Sequence, residues 1–278
     1  MKNCVYIFGD DCNLNWIDTR DVTKMRNLFY KSSFNGDISN WNVSNVTNMR
    51  SMFAESNFNG NISKWNVNKV TKMCFMFDQS PFMGDISKWN VSNVTDMGYM
   101  FSDSKFNNDI SSWDVSNVIN MDGMFEYSPF NNDISSWDVS KVTNMSYMFN
   151  GTIFNKDISK WKVNNVTTME GMFKNSKFNN DISSWNISKD CDTTNMFENS
   201  RIIDNYKPKH FKINEGFDFG SANKKKVINA KNILDTILKR IDNREDIMPD
   251  QYELLINFES IYRAKAGKLR NLVKYCIE

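Results

Sequence analysis

Tryptophan sets the period of this chain. Trp16, Trp41, Trp65, Trp89, Trp113, Trp137, Trp161 and Trp185 follow one another, and from Trp41 onward each step is 24 residues. A fixed period of roughly 20–50 residues marks a stacked-repeat architecture, in which one unit buries its apolar face only against its neighbours. One unit runs from Phe34 to Asn57, and the next opens at Phe58. Eight coils, one per tryptophan, are expected over residues 13–204.

Spacing within the unit gives a local reading. Ile38, Trp41, Val43, Val46, Met49, Met52, Phe53 and Phe58 are its apolar positions. Trp41-Asn42-Val43 alternates, as a short half-buried strand does. Val46, Met49, Met52 and Phe53 follow helical spacing, and Thr47 stands ahead of them as an N-cap, echoed by Thr71, Thr95, Thr143 and Thr167. Asn35-Gly36-Asp37, Asn107-Asn108-Asp109 and Asn131-Asn132-Asp133 read as tight turns. The expected fold is therefore an α/β repeat, a leucine-rich-repeat-like solenoid of about eight coils with a short parallel sheet. Strands stacked at ~4.8 Å would make it roughly 40 Å long, with each indole N–H bonded to backbone of a neighbouring coil.

Flanking segments break the period. Residues 1–12 are expected to form an N-terminal cap, since the end of a stack exposes apolar cross-section. Asp190 and Thr193 replace the periodic Val and Met in the last coil, as in a capping transition. Residues 205–221 read as a linker. Residues 222–278 read as an α-helical hairpin that caps the stack or serves as an interaction module. One helical face carries Val227, Leu234, Ile237, Leu238 and Ile241, and another carries Tyr252, Leu255, Ile256, Phe258, Ile261, Tyr262, Leu269, Leu272 and Val273. The net charge of +1 hides a division: about −4 over residues 1–204 and about +5 over the remainder. With no global positive field, no nucleic acid is expected as a partner. The basic helices, with Lys224-Lys225-Lys226, Arg263, Lys265, Lys268, Arg270 and Lys274, are expected to contact an acidic surface.

The recurrent Asp-Ile-Ser-x-Trp-Asn-Val-Ser-Asn-Val-Thr-x-Met-x-x-Met-Phe-x-x-Ser, as in Asp85–Ser104, resembles the BspA-type repeats of the leucine-rich-repeat class. Such repeats occur in bacterial surface proteins, mycoplasma lipoproteins, protists and large DNA viruses. The resemblance covers about residues 13–204. It implies a curved or twisted solenoid with a parallel sheet on one side and a binding role with no assigned ligand. The Asn-, Lys- and Ile-rich composition is expected of an AT-rich genome, such as that of a large DNA virus or a mycoplasma.

Cys4, Cys12, Cys74, Cys191 and Cys276 show no Cys-x-x-Cys spacing, and there is one histidine, His210. Free thiols in a reducing compartment are expected, with no metal site and no cofactor. The apolar run near the N-terminus is about four residues, short of the roughly 7–15 of a signal-peptide core. No stretch reaches the ~20 apolar residues of a membrane span. A cytoplasmic or virion location is expected.

Candidate sites are read from what varies between coils. Ser51, Phe75, Tyr99, Gly123, Tyr147 and Gly171 share one position, and Phe75, Tyr99 and Tyr147 would form a discontinuous aromatic patch if they point outward. Lys64, Lys88 and Lys160 sit at an exposed strand position with Asn40, Ser112, Ser136 and Ser184. The acidic ladder Asp37, Asp85, Asp109, Asp133, Asp157 and Asp181, with Asn61 in one coil, admits two readings: calcium ligation, or turns in which each carboxylate accepts backbone N–H bonds. Sequons such as Asn42-Val43-Ser44 and Asn93-Val94-Thr95 recur because the unit recurs. No Ser–His–acid set, phosphate loop or metal motif is found, so a non-enzymatic scaffold for protein–protein interaction or assembly is expected. A surface adhesin or host-interaction factor is the alternative.

Overall fold

A computed structural model describes residues 9–209. The 24-residue period is a physical register. Parallel bridges join Lys24, Asn48, Lys72, Asp96, Asn120, Asn144, Thr168 and Asp192 in turn, each one coil from the last. All eight apolar positions of the unit are buried, from Ile38 through Phe58, and their equivalents in later coils repeat the pattern. The result is one continuous core. Phe53 stacks on Phe77 at 5.7 Å and Phe77 on Phe101 at 5.8 Å, while within a coil Phe53 lies 4.1 Å from Phe58.

The backbone differs from the expected α/β class. Among the described residues there is no α-helix and no strand longer than an isolated bridge, and the helical structure there is a three-residue 3-10 helix, Asp204–Tyr206. Each coil is built of turns instead. Trp41 donates to the Ile38 carbonyl, Val46 to Val43, Met52 to Met49 and Ser56 to Phe53. The segment read as helical fails to be one because its third residue of each turn is left-handed: Ser51 has φ +52 and Glu55 φ +50, and the same two positions recur along the chain. A left-handed residue ends a right-handed helix, as in the third position of a type II turn. The N–H groups a helix would direct inward go to the next coil. Met49, Ser51, Phe53 and Glu55 donate to the carbonyls of Lys72, Cys74, Met76 and Asp78.

The other two local expectations change for the same reason. Trp41-Asn42-Val43 does not pair as a strand, because Ile38–Trp41 and Val43–Val46 are consecutive turns. Thr47 is not an N-cap. Its N–H and hydroxyl both reach the Thr23 carbonyl of the preceding coil, and Thr71 does the same to Thr47. The expected helical hairpin of residues 222–278, the linker beyond residue 209 and the first eight residues of the N-terminal cap lie outside the described residues.

The indole reading holds. Trp113 Nε1 donates to the Ile86 carbonyl at 3.1 Å, and the six other tryptophans from Trp41 to Trp185 repeat the bond to the coil before. Trp16 differs: it is 66% exposed, so it marks the period without joining the core.

Coils meet differently on their two sides. Along the bridge side, backbone bonds of 2.7–3.0 Å such as Glu55 to Asp78 and Ser51 to Cys74 join neighbours directly. On the Phe58 side, ring centroids recur at wider spacing, 6.3 Å for Phe58 to Phe82. Strand-like backbone pairing needs ~4.8 Å, so side chains span this gap. Asn35 Oδ1 accepts from the Asn59 N–H at 2.7 Å, and Asn59, Asn107, Asn131, Asn155 and Asn179 repeat the link. Ser56, buried, turns its hydroxyl to the Phe53 carbonyl and accepts from the Phe58 N–H, and Ser104, Ser128 and Ser176 follow.

Three substitutions test this packing. Trp113→Ala is expected to lower stability by on the order of 3–5 kcal/mol through a cavity in the stack. Trp113→Phe keeps most of the volume but removes one of the two donors to the Ile86 carbonyl, the Trp89 N–H remaining, a loss of about 0.5–1.5 kcal/mol. Urea unfolding of both variants checks the order; no loss in Trp113→Phe would deny the indole bond its role, and equal losses would deny the cavity its role. Gly123 has φ +55, and a Cβ there would lie 2.3 Å from the Tyr99 ring. Gly123→Ala is therefore expected to lower stability, by about 1–3 kcal/mol for the backbone conformation alone, seen as a lower urea midpoint.

Candidate functional site

Core packing and coil-to-coil bonding dictate what repeats. What changes chemistry from coil to coil is therefore free of those two tasks. The widest change falls on the two left-handed turns, at the position of Arg50 (Cys74, Gly98, Asp122, Ser146, Glu170), of Ser51 (Phe75, Tyr99, Gly123, Tyr147, Gly171), of Ala54 (Asp78, Ser102, Glu126, Asn150, Lys174) and of Glu55 (Gln79, Asp103, Tyr127, Gly151, Asn175). Side chains there face away from the Phe and Met ladders, because the alternate positions Met52 and Phe53 fill the core.

The structure joins Phe75 and Tyr99, whose rings stack at 4.9 Å and 5°. Tyr99 then lies over Gly123, so the patch stops there, and Tyr147 starts afresh over Gly171. All three rings are half-buried. Tyr147 donates its hydroxyl to Glu170. Lys64, Lys88 and Lys160 are exposed on the Ile38–Trp41 type of turn, a different part of the coil, and are not brought together with the rings.

Reading these turns as a helix hid further residues of the face. Tyr127 is 53% exposed and lies over Gly151. Asp78 is a half-buried carboxylate in one coil, Asp122 and Glu126 are half-buried in the coil two further on, and Asp103 is exposed in the coil between. Burial is the main cause that raises each of the three, and Asp78 is pushed up to about 6. Mutual repulsion adds to it: Asp103, Glu55 and Glu126 act on Asp78, while Asp103 and Asp122 act on Glu126. Tyr99 is bonded to Asp122, and burial holds its phenol protonated well above the usual range. Asn150 gives Nδ2 to Glu126 at 2.7 Å; the residue is only 3% exposed, and its Oδ1 has no partner. Asp122 Oδ1 likewise has none. The legible signal for these turns was the recurrence of Gly and Asn at the two positions, as in Asn27, Gly123, Gly171 and Asn195.

The other candidates resolve into structure. Asp85 Oδ1 accepts from the Ser87 N–H at 2.9 Å, and the rest of the ladder, with Asn61, does the same two residues on. That bond holds the Asp85, Asp109, Asp133 and Asp157 carboxyls low. Among the described residues no group of three or more His, Cys, Asp or Glu could hold a metal ion. The sequon residue Asn42 is itself an acceptor for Ser44, and Asn93 donates to the Asn68 carbonyl. The buried Cys74 thiol is pushed up to about 12 by burial, with Asp96 adding to it, so it is protonated at neutral pH. No helix among the described residues is long and apolar enough to cross a membrane.

The repeat also decides kinship. The model of the family described as "Mycoplasma protein of unknown function, DUF285" matches three overlapping stretches, residues 3–107, 56–152 and 102–211. The chain belongs to this family. Its match repeats along the chain because the DUF285 pattern spans several coils, so the chain is a repeat protein by family as well as by register. No curated protein matches it, and no solved structure does.

The raised carboxyl sets a pH dependence. Between roughly pH 4 and 6 the folded chain keeps a proton on Asp78 that the unfolded chain releases, so stability falls as pH rises through that window. The lowered Asp ladder acts oppositely and at lower pH, losing its contribution as the carboxyls protonate below about pH 4. Asp78→Asn is expected to raise the urea midpoint above pH 6 and to leave it unchanged near pH 4. An equal gain at both pH values would remove burial of the charge as the cause.

Proposed function

We propose that the chain is a non-catalytic repeat module that binds a protein partner through the face of its left-handed turns, and that it serves as a scaffold in a reducing compartment or a virion. The repeat motif is of the BspA type in this reading. The observation that carries it is the distribution of variation: residues that hold the coils together repeat, while the positions on the left-handed turns run through arginine, carboxylate and aromatic rings. Tyrosine and arginine are the residue types on which protein interfaces concentrate their binding energy. Tyr99, Tyr127 and Tyr147 stand on this face, with Arg50 at its edge.

Affinity capture from source-cell lysate tests the reading. The full chain is compared with one bearing Asp103→Asn, Glu126→Gln and Tyr127→Ser, and with one bearing Asp133→Asn and Asp157→Asn on the turn ladder. A partner held by the native and ladder-altered chains and lost by the face-altered chain is expected. A partner held by the face-altered chain and lost by the ladder-altered one would move the binding surface elsewhere.

A further inference from the structure

We infer that the face formed by Asp78, Asp103, Asp122 and Glu126, with the rings of Tyr99 and Tyr127, docks a polypeptide segment carrying several arginine or lysine side chains; the inference rests on the protein-binding role proposed above and names its partner's chemistry.

The chain itself shows what such a face takes. At its N-terminal coils, Lys31 lies over the Tyr30 ring at 5.2 Å, pairs with Glu55 at 3.3 Å, and Tyr30 donates to the same carboxylate at 2.9 Å. Ring, carboxylate and cation close on one another. One position away, the Arg50 guanidinium lies over Phe75 at 5.6 Å. Toward the other end, Lys174 pairs with Glu198 at 2.9 Å, and Lys207 lies over Phe197 at 5.7 Å. On the left-handed turns acid is thus matched with an internal cation at both ends, and ring with cation at the N-terminal end; Phe197 belongs to the core ladder of Phe53.

The middle coils keep the acid and the ring and lack the cation. None of the ion pairs among the described residues includes Asp78, Asp103, Asp122 or Glu126. At the position of Arg50 the middle coils carry Gly98 and Asp122, and at the position of Lys31 they carry Gln79, Asp103 and Tyr127. The carboxylates repel one another across adjacent coils. Hydrogen-bond supply shows the same imbalance, since Asp122 Oδ1 and the Oδ1 of the buried Asn150, whose amide is held on Glu126, are acceptors without a donor. The deficit is of positive N–H donors. A single ion would not meet it, because the carboxylates are distributed over three coils and do not converge as ligands. Several cations on one chain match that distribution, and arginine in addition stacks on tyrosine.

The test uses the full chain and a fluorescein-labelled decapeptide of alternating arginine and serine, with a glutamate–serine decapeptide as its opposite, read by fluorescence anisotropy. The arginine peptide is expected to bind and to weaken as salt is raised, and the glutamate peptide not to bind. Asp103→Asn with Glu126→Gln is expected to weaken it by about tenfold, and Tyr127→Ser by a smaller factor. Asp133→Asn with Asp157→Asn removes the same charge from the turn ladder and is expected to leave affinity within about twofold. Asp103 is exposed with φ +48, a conformation asparagine accepts, so Asp103→Asn alone reads the effect without loss of fold. Equal weakening by the ladder pair would reduce the effect to net charge and overturn the proposal. So would absence of binding, or spermine displacing the peptide at equal charge concentration, which would make the ligand a polyamine. If the lysate partner is lost with the face variant while no arginine peptide binds, the protein-binding role stands and the cationic partner falls.

Discussion

Everything described in this chain depends on coil n sitting on coil n + 1 in a register of 24 residues. A single coil has too little interior to hold eight apolar side chains out of water. It also has left-handed turns in which the N–H groups of Met49, Ser51, Phe53 and Glu55 have no acceptor within the coil. Stacking meets both needs at once: Phe53 finds Phe77 as its neighbour and its N–H finds the Met76 carbonyl. Register is enforced because a slip by one residue would move every buried ring outward and every Asx turn out of place.

The asymmetry of the coil explains the composition. Where backbones approach closely, peptide groups bond directly and side chains are released. Where the spacing is wider, Asn, Ser and Trp bridge it: Asn35 to Asn59, Ser112 to the Ser87 carbonyl, Trp113 to the Ile86 carbonyl. The abundance of asparagine thus has a mechanical cause in this fold. It also separates the two sides by role. Residues on the wide side are committed to bridging, which accounts for the constancy of the Asp and Asn turns. On the left-handed turns backbone bonds already join the coils, and there the chain carries its aromatic and acidic variety.

That freedom has a conformational restriction attached. Phe75, Tyr99, Tyr127 and Tyr147 occupy φ between +52 and +59, where glycine and asparagine stand in other coils. A ring retained in that conformation is accommodated by a neighbour without a side chain: Tyr99 by Gly123, Tyr127 by Gly151, Tyr147 by Gly171. Ring and glycine alternate because two rings in every adjacent coil would leave each with a crowded neighbour; Phe75 against Tyr99 is the one adjacent pair, and it stacks face to face.

The period, the buried positions, the indole bonds and the turn role of residues such as Asp85 were legible in the amino-acid sequence, because each depends on identity at a fixed spacing and recurs in coil after coil. Tertiary structure alone decided the backbone class. Val46, Met49, Met52 and Phe53 have the spacing of a helix, yet apolar spacing reports which residues are buried and not where their N–H groups point. In this fold the N–H groups of Met49 and Phe53 find acceptors 23 residues ahead, those of Val46 and Met52 find them three residues back, and a left-handed residue in each turn holds that arrangement. The same turn geometry brings Asp78, Asp103, Asp122 and Glu126 together with Tyr99 and Tyr127 from different coils. No local pattern announces that grouping, since it exists only once the coils are stacked.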